Sequence, residues 1–101
     1  MIKMDEITGF EWDEGNMHKN FFKHNVTNTE SEQVFFNQPL IVANDFKHSE
    51  LGEIRYIALG KTNDERYLTV IFTIRKTLIR VISARNMSRK ERMTYGKSEE
   101  K

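Results

Sequence analysis

The stretch from Arg66 to Arg85 constrains the fold more than any other part of the chain. Two runs rich in β-branched and aromatic residues, 66–75 and 78–85, are separated by Lys76-Thr77 alone. A two-residue connection between strands makes an antiparallel hairpin, although Lys-Thr is not the Asn-Gly type that such turns favour. Pairing Arg75 with Leu78 gathers Leu68, Val70, Phe72 and Ile74 on one face with Ile79, Val81 and Ser83. The opposite face then carries Thr69, Thr73 and Arg75 beside Arg80, with Ile71 and Ile82. A slip of one residue would set Arg80 among the apolar side chains, so the first register is the expected one. Helices must cover the first face, and the second presents two guanidiniums.

Leu40–Ala43 and Glu53–Leu59 read as two further strands, divided by an exposed loop from Asn44 to Leu51, and Gly9-Phe10-Glu11-Trp12 as a short one. Asp13 stands where a helix N-cap belongs, ahead of an expected helix over 14–24. That helix should bury Met17, Phe21 and Phe22 and expose Asn16, Lys19, Asn20 and Lys23. Asn25 is suited to the left-handed residue that ends it. A second helix is expected from Thr29, with Glu32 completing a capping box, Val34 and Phe35 turned inward, and a stop before Pro39. Ser88 with Glu91 opens a basic helix reaching about Tyr95, and 96–101 should fray. The 101 residues suit one domain, placed at 1–95. Its expected class is α+β: an antiparallel sheet of four to five strands, two N-terminal helices on one face and a short C-terminal basic helix.

The net charge of +1 conceals a division along the chain. Residues 1–50 hold four lysines and nine acids, residues 51–101 twelve bases and six acids. All seven arginines lie in the second half, and from Arg75 to Arg92 seven bases face the single acid Glu91. Arginines inside strands, rather than lysines in loops, point to phosphate, which a guanidinium grips with two parallel hydrogen bonds. The absence of cysteine excludes disulfides, thiolate metal sites and cysteine nucleophiles, and makes a reducing cytoplasm the expected compartment. No run approaches the roughly 18 apolar residues that span a bilayer, and Met1 to Glu6 lack a signal peptide's apolar run, so no membrane partner is expected.

His18 and His24 are six apart, which is not one helical face, and no HExxH pattern exists, so neither a metal nor another cofactor is expected. There is no glycine-rich phosphate loop, which argues against NTPases and dinucleotide enzymes. His48 lies in a polar loop, Asp45 to Glu50, just before the strand that should carry Glu53 and Arg55 on one face. Alone, His48 reads as an exposed histidine, Glu53 with Arg55 as a surface ion pair, and Lys23 with His24 as complements to a helix dipole. Joined to Arg75 and Arg80 on neighbouring strands, the pair completes a set of guanidiniums able to hold an RNA phosphate and stabilise charge added at phosphorus.

These fragments also fall into a recognisable order. Phe10-Glu11-Trp12-Asp13, Asn20 with Lys23-His24, His48-Ser49-Glu50, Glu53 to Gly60, Ile79 to Arg85, and Arg89-Lys90-Glu91-Arg92 with Tyr95 together resemble the BrnT family of toxins over residues 10–95. The chain departs from the family at Asn16 and Asn25, where Lys and Gly are usual. The resemblance implies a RelE-like fold and the toxin role of a type II toxin-antitoxin system. It further implies metal-independent endoribonuclease action by 2′-hydroxyl attack, leaving a 2′,3′-cyclic phosphate. The implied partners are RNA and a BrnA-like antitoxin with a ribbon-helix-helix domain, in an assembly of two toxins and two antitoxins that meets DNA only through the antitoxin. On this reading His48 or Glu53 transfers the proton, Arg55, Arg75 and Arg80 hold the phosphate, Arg85 supports them, and Lys19 and Lys23 add RNA contacts. The alternative is a non-catalytic module that binds nucleic acid or protein through the basic sheet face and C-terminal helix.

Overall fold

In a computed structural model, which describes residues 4–100, the hairpin closes as its sequence directs. Strands β4 (Tyr67–Arg75) and β5 (Leu78–Asn86) pair antiparallel with Arg75 opposite Leu78, and Lys76 takes a φ of 57° in the turn. The expected register holds as far as Phe72 opposite Val81, and then a bulge intervenes: Ile71 faces Ser83, so Ile82 is the extra residue. Ser83 thereby leaves the core face where it was expected, and Ala84 replaces it opposite Val70, fully buried. Arg85 is carried opposite Thr69, onto the face of Arg75 and Arg80.

Strand β3 (Tyr56–Lys61) pairs antiparallel with β4, and β2 (Ile41–Asn44) with β3. The two-residue β1 (Gly9–Phe10) pairs parallel with Leu78 and Ile79. The sheet is therefore five-stranded, in the order β1-β5-β4-β3-β2, and mixed rather than wholly antiparallel as expected. Because β3 begins only at Tyr56, Glu53 and Arg55 lie in the preceding loop and not in a strand.

The core face of the sheet meets α2 (Asn28–Gln33) and the chain around it. A capping box of Thr27 and Glu30 opens this helix, two residues earlier than the expected Thr29 and Glu32. Val34 is fully buried against Gly60, where a Cβ would come within 2.6 Å of Val34 Cγ1. Phe35 stands edge-on to Phe72 at 5.0 Å, and Tyr56 stacks on the same ring at 5.4 Å.

Helix α1 (Lys19–His24) is shorter than the sequence predicts, because Asp13 folds residues 14–18 into turns. Its carboxylate accepts from Gly15 N–H and its carbonyl from Asn16 and Met17 N–H. The buried side is also reversed. Asn16 and Asn20 are 3% and 2% exposed, whereas Phe21 and Phe22 are 51% and 82% exposed. The reason is the edge of β5, which β1 covers only at Leu78 and Ile79. Beyond it, Asn16 Nδ2 donates to the Val81 carbonyl at 3.1 Å and Asn20 Oδ1 accepts from Ala84 N–H at 3.0 Å. Backbone groups left over by the strand ladder need partners, and carboxamides supply them where phenyl rings cannot. Asn25 ends α1 at φ 56°, as expected.

Helix α3 (Arg89–Glu99) starts at the expected Ser88–Glu91 capping box. It continues past Tyr95 into most of the stretch expected to fray. It lies across the other face, where Tyr95 is buried with Leu59 and Met87 and donates to the Pro39 carbonyl at 2.6 Å. Burial pushes the Tyr95 phenol up to about 12. No helix among the described residues lies over the far end of that face, which carries Arg75 and Arg80.

Candidate functional site

Two segments outside the central strands bring carboxylates to that open end. The first is the chain leaving β1. Glu11 and Asp13 are two apart in the chain just past Phe10, and both carboxylates meet Arg80 on β5. Arg80 Nη1 donates to Glu11 Oε1 at 2.9 Å and to Asp13 Oδ2 at 2.8 Å, and Nη2 to Asp13 Oδ1 at 3.0 Å. The Arg80 hydrogen bonds hold the Asp13 carboxyl below its usual range, and Asp13, with Glu11, holds the Arg80 guanidinium above its own. Gly15 fits this corner closely: a Cβ there would lie 3.0 Å from Arg80 Nη2.

The second segment is the loop between β2 and β3. Asp45 N–H donates to the Arg55 carbonyl at 2.7 Å, Arg55 N–H to Ser49 Oγ at 2.9 Å, and Glu50 and Glu53 exchange backbone hydrogen bonds. Thr73 Oγ1 donates to the Ile54 carbonyl at 2.9 Å, fastening the loop beside Arg75. Glu53 thus reaches Arg75 Nη2 at 3.9 Å and Arg55 Nε at 3.9 Å. Arg55 Nε is buried with no hydrogen-bond partner among the described residues.

Arg75 joins the two segments. Its Nη1 donates to Glu11 at 3.4 Å while Nη2 faces Glu53, and its side chain is 50% exposed against 12% for Arg80. The result is an alternating series Asp13–Arg80–Glu11–Arg75–Glu53–Arg55, tightly bonded at the Asp13 end and loose at Arg75. A cleft of ≈ 280 Å³ opens beside the loose end, lined by Glu53, Ile54, Thr73 and Arg75 among others.

Of the residues singled out in the sequence, the fold unites Glu53, Arg55, Arg75 and Arg80. It does not bring in the rest. Arg85 shares the face but forms a separate pair with Glu91, at 2.8 and 3.1 Å. Burial alone would raise the Glu91 carboxyl, yet hydrogen bonds from Arg85, Ser88 N–H and Thr69 Oγ1 bring it down to about 2. His48 is exposed on the turn of its loop, its Nδ1 2.9 Å from Asp45 Oδ2, and no described hydrogen bond or ion pair links it to the arginines. Lys19 and Lys23 are exposed on α1, outside every ion pair among the described residues. Glu11 was missed, although its two-residue spacing from Asp13 around Trp12 was a visible signal. Among the described residues no group of three or more His, Asp or Glu is arranged to hold a metal ion.

The family model for the ribonuclease toxin BrnT of type II toxin-antitoxin systems matches residues 12–91. The chain belongs to the BrnT family. The span matched to BrnT includes Asp13, the loop that carries Glu53, and all three arginines of the open series, while Glu11 lies one position before it. BrnT membership makes this a ribonuclease-toxin chain with RNA as its class of substrate and an antitoxin as its class of partner. A comparison with curated proteins gave no match. Among the described residues no helix is long and apolar enough to cross a membrane.

Proposed function

We propose that this protein is the endoribonuclease of a type II toxin-antitoxin pair and cuts RNA without a metal, at the open end of its sheet. The observation that carries this reading is Arg75: a half-exposed guanidinium held loosely between two carboxylates, at 3.4 and 3.9 Å, beside an open cleft. A phosphodiester entering the cleft exchanges those contacts for a bidentate pair with Arg75. Glu53, released from Arg75, accepts the proton of the ribose 2′-hydroxyl. The 2′-oxygen bonds to phosphorus, the bond to the 5′-oxygen breaks, and the leaving oxygen takes up a proton, which leaves a 2′,3′-cyclic phosphate. His48 rides on the same loop as Glu53 and is assigned that second proton, with Asp45 fixing its ring. Arg55 and Arg75 stabilise the added charge. Arg80, expected on the phosphate, is instead assigned to positioning, because Glu11 and Asp13 already occupy its guanidinium.

In the cell, a BrnA-like antitoxin with a ribbon-helix-helix domain neutralises the toxin in an assembly of two and two, and contacts DNA for both. The fold is of the RelE kind and the compartment is the cytoplasm. The test is incubation of the purified chain with ribosome-free RNA in EDTA, followed by analysis of the product ends. Cyclic-phosphate ends are expected, with cleavage reduced by about 10²-fold or more in Arg75→Ala, the effect of losing one electrostatic donor. Arg75→Lys should restore little, since an ammonium lacks the planar fork. RNA binding without cleavage would sink the enzyme and leave the non-catalytic module.

A further inference from the structure

Helix α1 holds two features that the chemistry above does not use. Phe22 is 82% and Phe21 51% exposed, with ring centroids 5.9 Å apart, and the His18 ring lies 6.4 Å from that of Phe22. Exposed aromatic rings clustered in this way mark a surface that meets a partner. Around them are Lys19 and Lys23, one helical turn apart, and the chain has no acid between Glu14 and Glu30. In an N-terminal half that is otherwise acidic, this is a local cationic and aromatic surface. Its position relative to the arginine series is fixed by the two asparagines, since Asn16 and Asn20 bind α1 along the edge of β5, the strand that also carries Arg80.

We infer that α1 is a stacking platform for single-stranded RNA, on which an unpaired base lies against Phe22 while Lys19 and Lys23 hold the flanking phosphates. Aromatic faces with interleaved cations are the chemistry by which proteins hold unpaired nucleotides without reading a fixed sequence. A cationic rim favours RNA over an acid-free apolar partner, and the alternation of ring and ammonium matches that of base and phosphate. The platform rests on the ribonuclease reading and extends it: substrate is held a short distance along the strand from the scissile phosphate, so the enzyme selects unpaired RNA.

The experiment uses the full chain and a labelled single-stranded RNA carrying 2′-O-methyl groups, which cannot be cut by 2′-hydroxyl attack, with binding read by fluorescence anisotropy. Phe22→Ala, at an exposed position that leaves folding intact, should weaken binding about tenfold, and Phe22→Trp should retain it. Lys19→Gln with Lys23→Gln should weaken binding and flatten its salt dependence. A duplex of the same sequence should bind Phe22→Ala and the native chain equally. On cleavable RNA, Phe22→Ala should raise KM and leave kcat unchanged. Unchanged affinity for the single strand in Phe22→Ala overturns the platform, as does a Phe22→Ala that binds RNA normally but no longer co-purifies with an antitoxin, which would make α1 a protein interface. Should the native chain fail to cut any RNA while binding still depends on Phe22, the platform stands and the ribonuclease reading falls.

Discussion

Arg75 and Arg80 share a sheet face and the Glu11 carboxylate, yet their surroundings give them different work. Arg80 is mostly enclosed and makes three short hydrogen bonds to two carboxylates that stand two residues apart on the chain. Removing it leaves Asp13 without its ion-pair partner and Glu11 with only the longer contact to Arg75, so Arg80→Ala should lower the thermal midpoint by several degrees. Arg75→Ala, at a half-exposed position with longer contacts, should leave the midpoint within a degree or two while suppressing cleavage. Thermal unfolding followed by circular dichroism separates the two roles, and an Arg80→Ala as stable as the native chain would return Arg80 to the phosphate. The sequence was sufficient to put both arginines on one face, because alternation fixes facing. It did not single out Glu11 and Asp13 as counter-ions, which lie 64 to 69 residues from the arginines they pair with, and only the fold sets Glu53 against Arg75.

Single residues also decide how the elements meet. The extra residue Ile82 turns Arg85 out of the core, where it pairs with Glu91, and Glu91 in turn accepts from Ser88 N–H at the start of α3 and from Thr69 on β4. One carboxylate thus caps a helix, ties it to the sheet and neutralises an arginine. Its folded-state value of about 2 is below the ordinary 4.5, so the stabilisation is complete above about pH 4.5 and is lost as pH falls toward 2. Glu91→Gln should therefore unfold at a lower temperature at pH 7, and its deficit against the native chain should shrink steadily between pH 4.5 and pH 2; a constant deficit would show that the charge is not what matters. Arg66 does similar work at the same end of the hairpin, donating to Asn86 beside Arg85, to the Asn25 carbonyl that closes α1 and to Glu30 in the cap of α2. The caps themselves were legible from spacing, correctly at Ser88 and two residues late at the second helix, because Thr29-Glu32 and Thr27-Glu30 present the same pattern. The face of α1 was not legible, since amphipathic spacing weighs burial of phenyl rings and knows nothing of an unpaired strand edge.

Across the whole molecule, the acidic first half folds onto the basic second half at the place where RNA is proposed to bind. Arg55 and Arg75, the arginines assigned to the phosphate, must each give up a carboxylate contact before taking it. Fewer counterions are released than the number of phosphate contacts would indicate, because the freed carboxylates gather cations of their own. The slope of log affinity against log salt for single-stranded RNA should therefore be shallower than roughly 0.7 per contact. Glu11→Gln should steepen that slope and tighten binding at low salt several-fold, and equal slopes in the two chains would rule out this competition.

By itself the sequence determined the antiparallel hairpin, its register at the turn, the arginines on one face and the helix that begins at Ser88, for these follow from strand alternation, short connections and local capping. Its ordered motifs also pointed to the family. Only the tertiary structure decided the parallel pairing of β1, the bulge at Ile82 and the two asparagines on the edge of β5. These depend on hydrogen-bond partners far apart in the chain, which no local period can record. The same long-range pairings bring Glu11 and Glu53 to either side of Arg75.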